Sequence, residues 1–166
     1  PLVYDSDGRG RRVVPSPRPL SIVEVQVIRQ MLELGVIVIA AGGGGIPVVE
    51  RNGRLEGVEA VVDKDLATAL LAVAVEADLL VLVTGVPGVY TNFLGDDACL
   101  LKHIHPDELE ALASAGHFPP GSMGPKVEAA IGYVRATGKR AVICQPGDLV
   151  QAIAGELGTI IDAEVR

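Results

Sequence analysis

The sequence predicts an α/β protein, a three-layer αβα sandwich with a mainly parallel central sheet and an added β-hairpin. Hydrophobic residues make up 49% of the 166 residues, and aromatic residues only 3%. A core of Val, Ala, Leu and Ile is typical of sheets that helices cover on both faces. Three apolar runs without polar alternation, at 36–40, 79–83 and 141–144, are separated by segments with helical periodicity, which indicates buried strands joined by helices.

The N-terminal part divides into an arm and the first elements of the sheet. Residues 1–19 contain four prolines and predict an extended arm, followed by one domain over 20–166. Apolar residues at helical spacing predict a helix over 21–34. The β-branched run 36–40 predicts a strand buried on both faces.

The middle of the chain predicts a hairpin, then a helix and a strand. Apolar segments flank Asn52-Gly53, a dipeptide typical of two-residue hairpin turns. A helix is expected over 63–76 and a strand over 79–83. Strand 36–40, this helix and strand 79–83 would form a right-handed parallel crossover.

The C-terminal part predicts short strands that alternate with helices. Its apolar patterns, with proline near helix starts and glycine at helix ends, are typical of such an order. The expected elements are a short strand near 99–103, helices at 106–115, 125–137 and 147–154, and strands at 140–144 and 159–161.

Charge and composition exclude several classes of function. Asp and Glu outnumber Lys and Arg by 21 to 14, which gives a net charge of −7. This composition does not provide the broad basic surface that binds nucleic acid. No apolar run reaches the roughly 18 residues that cross a bilayer, so no membrane partner is expected. Cys99 and Cys144 lack the spacing of a disulfide framework or zinc site, which favours a cytoplasmic location.

Four successive glycines, Gly42, Gly43, Gly44 and Gly45, follow the predicted strand 36–40. Open α/β sheets bind ligands at the carboxyl ends of their strands. Peptides without a Cβ can turn sharply and aim several N–H groups at one anion. The following residues match neither a P-loop nor a dinucleotide-binding fingerprint. The sequence is compatible with two interpretations of these glycines, an anion-binding loop and a tight turn into the hairpin.

Two predicted helices begin with a lysine. Asp63 is the expected N-cap of the first, with Lys64 and Asp65 in its first turn, and Ser122 is the expected N-cap of the second, which carries Lys126. A cation at this end opposes the helix dipole unless an anion or a carboxylate compensates it. Two such openings favour a phosphate clamp, and lysines with an aspartate between them suffice for phosphoryl transfer. A solvated helix start of mixed charge is the alternative.

Other reactive residue types give weaker signals. His103 and His105 alternate on a strand-like segment without a third ligand, and His117 stands apart, so no metal site is expected. Cys144 is expected to be buried, and Cys99 has no close basic neighbour to activate it. No serine occurs in a nucleophile-elbow motif.

Long stretches of the chain resemble the carbamate kinases of the amino-acid-kinase superfamily. The stretches follow the family's order: RRVVPSPRP (11–19), AAGGGGIPVV (40–49), GVEAVVDKDLA (57–67) and GHFPPGSMGPKVEAA (116–130). The resemblance implies phosphoryl transfer between ATP, with Mg²⁺, and carbamate, usually in the direction that makes ATP from carbamoyl phosphate and ADP. It also implies a homodimer.

The resemblance implies roles for individual residues. Lys64 would lie beside the transferring phosphoryl group, Lys126 would bridge the nucleotide's phosphates, and Asp65 would organise both lysines. The glycines 42–45 and Asp63 would border the small-molecule acceptor. The residues implied to line the nucleotide pocket are Thr84, Gly85, Val86, Tyr90, Met123, Gly124 and Pro125.

The chain departs from the family pattern in several places. Gly132 stands where relatives often have a basic residue, and Gly85 and Pro87 stand where the superfamily often has aspartates, which predicts weaker nucleotide affinity. The family has a further N-terminal half, so the chain is expected to bind nucleotide without turnover. A superfamily kinase with another carboxylate or phosphate acceptor, and a non-catalytic nucleotide-binding or dimerisation module, stay open as alternatives.

Overall fold

The computed structural model describes residues 2–4, 7–93, 95–119 and 121–164. The strands in chain order are β1 (Leu2–Tyr4), β2 (Gly10–Arg12), β3 (Val48–Arg51), β4 (Arg54–Gly57), β5 (Leu80–Val83), β6 (Tyr90–Thr91), β7 (Cys99–Leu100), β8 (His103–Ile104), β9 (Ala141–Cys144) and β10 (Thr159–Ile161). The helices are α1 (Val25–Glu33), α2 (Lys64–Ala74), α3 (Pro106–Ser114), α4 (Met123–Thr137) and α5 (Leu149–Ala154), with a 3₁₀ turn at Pro146–Asp148.

The central sheet has four strands in the order β5-β9-β10-β8. β5 is parallel to β9 and β10 is parallel to β8, whereas β9 and β10 are antiparallel. The sheet is therefore mixed, with two of its three pairings parallel. The antiparallel register sets Thr159 opposite Ile143, at the edge of the sheet where β5 and β9 end.

Helices cover both faces of this sheet. Ala141 and Ile143 of β9 belong to the core beneath α2, α3 and α4. Val142 and Cys144 alternate to the other face and pack in a second cluster with Ala152 of α5. These three layers confirm the predicted α/β fold class. Across the described ranges, no helix combines the length and apolarity that a bilayer span needs.

Several predicted elements are confirmed. The hairpin β3–β4 turns at Asn52-Gly53, and the strands expected near 79–83, 140–144 and 159–161 form as β5, β9 and β10. Helix α1 begins at Val25, four residues later than expected, and its N-cap makes no side-chain hydrogen bond. The strand expected near 99–103 is two strands: β7 pairs with β6, and β8 joins the central sheet.

The prediction of a strand at 36–40 is wrong. The structure describes all five residues, and they pair with no strand among the described residues. Ile37 is 93% exposed and Ile39 is 97% exposed. A strand needs a neighbour to satisfy its N–H and C=O groups, and an apolar run alone does not supply one. The parallel crossover expected between 36–40 and β5 is therefore also not formed.

The N-terminal arm contains a hairpin that its sequence did not predict. β1 pairs antiparallel with β2; residues 1, 5 and 6 of the arm lie outside the described residues. The Val61 N–H donates to the Pro15 carbonyl at 3.0 Å, and Arg18 forms an ion pair with Glu128 of α4. These two contacts connect the N-terminal segment to the rest of the described chain.

Candidate functional site

Two lysines meet on one carboxylate oxygen. Lys64 Nζ donates to Asp65 Oδ2 at 2.9 Å, and Lys126 Nζ donates to the same oxygen at 2.8 Å. Lys64 and Asp65 begin α2, and Lys126 lies in the first turn of α4. The packing of α2 against α4 therefore brings together the two helix openings that the sequence singled out.

The three side chains differ in exposure. Those of Lys126 and Asp65 are 8% and 9% exposed, whereas that of Lys64 is 54% exposed. A buried ammonium group needs a carboxylate partner, and Asp65 provides it for Lys126. The hydrogen bond with Asp65 raises the pKa of Lys64 above its ordinary 10.5, against a smaller opposing effect of desolvation. Lys64 therefore carries its charge at neutral pH.

The cluster has donors to spare for an anion. Each ammonium group carries three N–H donors, and the bond to Asp65 uses one of them. Because both Nζ atoms are hydrogen-bonded to the same oxygen of Asp65, the lysine side chains need little rearrangement when an anion binds. This arrangement suits a group with several negatively charged oxygens, such as a phosphoryl group.

Asp63 fixes the start of α2. Its Oδ1 accepts hydrogen bonds from the N–H groups of Asp65 at 2.8 Å and Leu66 at 3.2 Å, which confirms the predicted N-cap. The negative charges of Asp63 and Asp65 offset the unfavourable interaction between the Lys64 ammonium group and the positive end of the helix dipole.

The opening of α4 differs from the expectation in one detail. Ser122 occupies the N-cap position, but its side chain makes no capping hydrogen bond. The Gly124 N–H donates instead to the Pro119 carbonyl at 3.1 Å. A backbone bond thus replaces the expected hydroxyl cap, because the segment before α4 folds back over its first turn.

The glycine loop lies directly against the start of α2. Gly44 is buried with φ +126°, and a Cβ there would lie 2.0 Å from the Val62 carbonyl oxygen and 3.4 Å from the Lys64 nitrogen. Only glycine permits this approach. Gly42, Gly43 and Gly45 are exposed beside it. The loop and the lysine cluster therefore share one region of the molecule.

The residues implied to line a nucleotide pocket form two segments. One is the loop between β5 and β6 together with Tyr90, the first residue of β6, and the other is the first turn of α4, next to Lys126. Val89 of the loop and Met123 of α4 pack in the same hydrophobic core. The first segment contains Thr84, Gly85, Val86 and Tyr90, and the second contains Met123, Gly124 and Pro125.

A buried hydroxyl that the sequence did not single out contacts the first segment. The Val89 N–H donates to Thr159 Oγ1 at 2.8 Å, and Thr159 is fully buried. The contact depends on the direction of β10, which no local pattern in the sequence indicates.

A cavity of about 490 Å³ lies between α3 and α4. Gly124 and Pro125 line it together with Phe118 and two carboxylates, those of Glu110 and Glu128. None of the three charged residues of the lysine cluster lines this cavity. The cavity therefore adjoins the lysine cluster only through the first turn of α4.

Two of the other reactive residues, His105 and Cys144, have structural roles. His105 Nδ1 accepts from the Asp107 N–H at 3.2 Å and caps α3. In the part of the chain that the structure describes, no three His, Cys, Asp or Glu side chains are grouped to hold a metal ion. Cys144 is buried in β9, and this burial raises the pKa of its thiol, which disfavours a nucleophilic role.

Comparison with known proteins agrees with this fold. The chain belongs to the amino acid kinase family, whose family model matches residues 3–145.

The similar proteins include carbamate kinases. The carbamate kinase of Pyrococcus horikoshii is 48% identical over 159 residues, which cover 95% of this chain and 51% of that protein. The structure of carbamate kinase from Giardia lamblia bound to AMP-PNP matches with a TM-score of 0.93 and 47% identity, over 97% of this chain and 52% of that one. A crystal structure from Aeropyrum pernix K1 matches with a TM-score of 0.91 and 51% identity, over 97% of this chain and 52% of that one. The chain thus spans about half the length of these relatives.

Proposed function

We propose that this chain provides the nucleotide-binding half of a carbamate kinase, which transfers a phosphoryl group between ATP and carbamate. The observation that carries this proposal is the meeting of Lys64 and Lys126 on Asp65 Oδ2, at 2.9 and 2.8 Å. In phosphoryl transfer the protein mainly positions the reactants and stabilises the charge on the moving group. Two fixed ammonium groups on one buried carboxylate suit that task.

Each residue of the cluster has a separate task in this proposal. Lys126, on α4, contacts the phosphates of the nucleotide, and Lys64, on α2, contacts the phosphoryl group on its acceptor side. Asp65 is buried and holds both ammonium groups in place. Since these charges are oriented before the substrates bind, little reorganisation is needed in the transition state.

The acceptor and nucleotide bind on the two sides of this cluster. The glycines 42–45 and Asp63 border the acceptor, either carbamate or carbamoyl phosphate, and Gly44 contacts the start of α2. The loop after β5 and the first turn of α4 bind ATP or ADP, with Mg²⁺ accompanying the phosphates. The ATP analogue AMP-PNP in the Giardia lamblia relative supports the nucleotide class.

The setting of the enzyme is part of the same proposal. A cytoplasmic homodimer acting on small molecules, without nucleic acid or membrane, fits the net charge of −7 and the resemblance to carbamate kinases. Because the chain spans about half the length of its relatives, we propose that it binds nucleotide by itself and does not turn over.

Calorimetric titration with ADP and Mg²⁺ tests the nucleotide site. Lys126→Met keeps the length of the side chain and removes its charge, so we expect ADP affinity to fall by about 1–3 kcal/mol. Lys139→Met is the matched control, because Lys139 also pairs with an aspartate, Asp78, at 2.8 Å, but beyond the other end of α2. Equal affinity in Lys126→Met and the unsubstituted chain would falsify the site and favour a purely structural helix opening.

Two further assays separate the alternatives. Titration with carbamoyl phosphate, uridylate and acetylglutamate in the presence of ADP distinguishes the acceptors, and only carbamoyl phosphate is expected to bind. An ATP-forming assay with carbamoyl phosphate and ADP is expected to show no turnover. Turnover comparable to that of a full-length relative would contradict the proposal that this half only binds nucleotide.

A further inference from the structure

A buried hydroxyl joins the loop after β5 to the last strand. Thr159, the first residue of β10, accepts from the Val89 N–H at 2.8 Å and donates to the Leu101 carbonyl at 2.5 Å. The Leu101 N–H in turn donates to the Val89 carbonyl at 2.8 Å. Three hydrogen bonds therefore connect three segments that lie far apart in the sequence.

The backbone of the loop passes directly over this hydroxyl. Gly88 is buried, and a Cβ there would lie 2.6 Å from Thr159 Oγ1 and 3.1 Å from the Thr159 nitrogen. A separation of 2.6 Å is too short for a carbon atom and an oxygen atom that are not bonded to each other. The absence of a side chain at Gly88 is what allows Val89 to reach Thr159.

The other end of the loop is held by the neighbouring strand. The Thr84 N–H donates to the carbonyl of Cys144, the last residue of β9, at 2.8 Å. β10 runs antiparallel to β9, so its first residue lies at the edge where β9 ends. Residues 85–88 therefore lie between two hydrogen bonds to buried strands, one to Cys144 of β9 and one to Thr159 of β10.

We propose that Thr159 is a positioning residue for nucleotide binding. Its hydroxyl holds Val89, and through Val89 the loop 84–90, in the conformation that binds the nucleotide. This inference rests on the proposed function, because it takes the loop as part of the nucleotide pocket. A binding loop gives precise contacts only when supporting hydrogen bonds fix its backbone.

Substitution of the hydroxyl tests the inference by calorimetric titration with ADP and Mg²⁺. Thr159→Val keeps the shape and leaves the Val89 N–H and Leu101 carbonyl without this partner, so we expect about tenfold weaker binding. Thr159→Ser restores the hydroxyl and is expected to bind within about twofold of the unsubstituted chain.

Thr137 offers a matched control. Its hydroxyl also bridges two backbone groups, accepting from the Lys139 N–H at 3.1 Å and donating to the Tyr133 carbonyl at 2.8 Å, at the far end of α4. Thr137→Val should leave ADP affinity unchanged. Equal losses in Thr137→Val and Thr159→Val, or no loss in Thr159→Val, would overturn the inference.

Amide hydrogen exchange without nucleotide provides a separate readout. Thr159→Val should speed exchange at Val89 about tenfold or more and leave α3 unchanged; unchanged exchange at Val89 overturns the inference. If Thr159→Val does not fold, Gly88→Ala disturbs the same contact from the loop side, and unchanged ADP affinity there overturns it. If the unsubstituted chain binds no ADP, the proposed function fails together with the nucleotide role, while the exchange data still decide whether the hydroxyl holds the loop.

Discussion

Two apolar runs of similar composition end in opposite environments. In the run 36–40, Ile37 and Ile39 are almost fully exposed, whereas every residue of β9 is buried. β9 has β5 along one edge and β10 along the other, with α4 and α5 on its faces. The run 36–40 has no strand beside it among the described residues. An apolar sequence is therefore buried only where neighbours cover its edges and faces.

The helices repeat this contrast. α4 buries seven residues, while α1 buries only Ile28. An apolar stripe near and along α1 stays exposed at Val23, Val27, Met31 and Leu34. The region from 63 onward therefore holds the main core, and the region from 20 to 40 presents apolar surface. Large exposed apolar patches mark surfaces that contact other molecules or chain segments.

The strongest test of this contrast uses one substitution at two places. Ile143→Ala in β9 should lower the free energy of unfolding by about 2–5 kcal/mol, because it leaves a cavity in the core. Ile39→Ala should change it by less than about 0.5 kcal/mol, since the side chain is exposed. Urea unfolding measures both. A comparable loss in Ile39→Ala would show that 36–40 is buried in solution.

A smaller effect on stability is expected from Arg29, which connects the region 20–40 to the region from 63 onward. Arg29 of α1 donates to the Ala74 carbonyl at 2.6 Å and to Glu76 at 3.2 Å, at the end of α2. Arg29→Gln should cost about 1 kcal/mol and speed amide exchange in α1 more than in α4. Arg51→Gln is the control, because its pair with Glu56 is exposed and stays within the hairpin. Equal exchange changes in α1 and α4 would contradict a separate N-terminal region.

The smallest effect concerns surface charges of the C-terminal region. Arg135 of α4 donates to Asp107 at 2.6 Å and to Glu110 at 2.8 and 2.9 Å, which lowers the pKa of both carboxyls below their ordinary 3.8 and 4.5. This stabilisation is present above the ordinary values and is lost as the pH falls through the lowered ones. Arg135→Gln should therefore lower the Tm slightly at pH 7, and the difference in Tm should shrink as the pH falls below the ordinary pKa values of the two carboxyls. Thermal scans in which the difference in Tm stays constant as the pH is lowered would refute the ion-pair explanation.

The candidate site could be predicted in part. Asp63, Lys64 and Lys126 were recognisable because caps and charges at helix openings are local features. That Lys64 and Lys126 share one oxygen of Asp65 was not derivable from their spacing, because the packing of α2 on α4 brings together residues 61 positions apart. Thr159 gave no signal, since only the direction of β10 sets it beside Val89.

The sequence by itself determined the features whose causes lie within a few residues: the Asn52-Gly53 turn and the cap at Asp63. The tertiary structure decided which apolar runs are buried, in which direction β10 runs, and where the two lysines meet. These outcomes depend on contacts between distant segments, whose free energies outweigh the local preferences of any one of them.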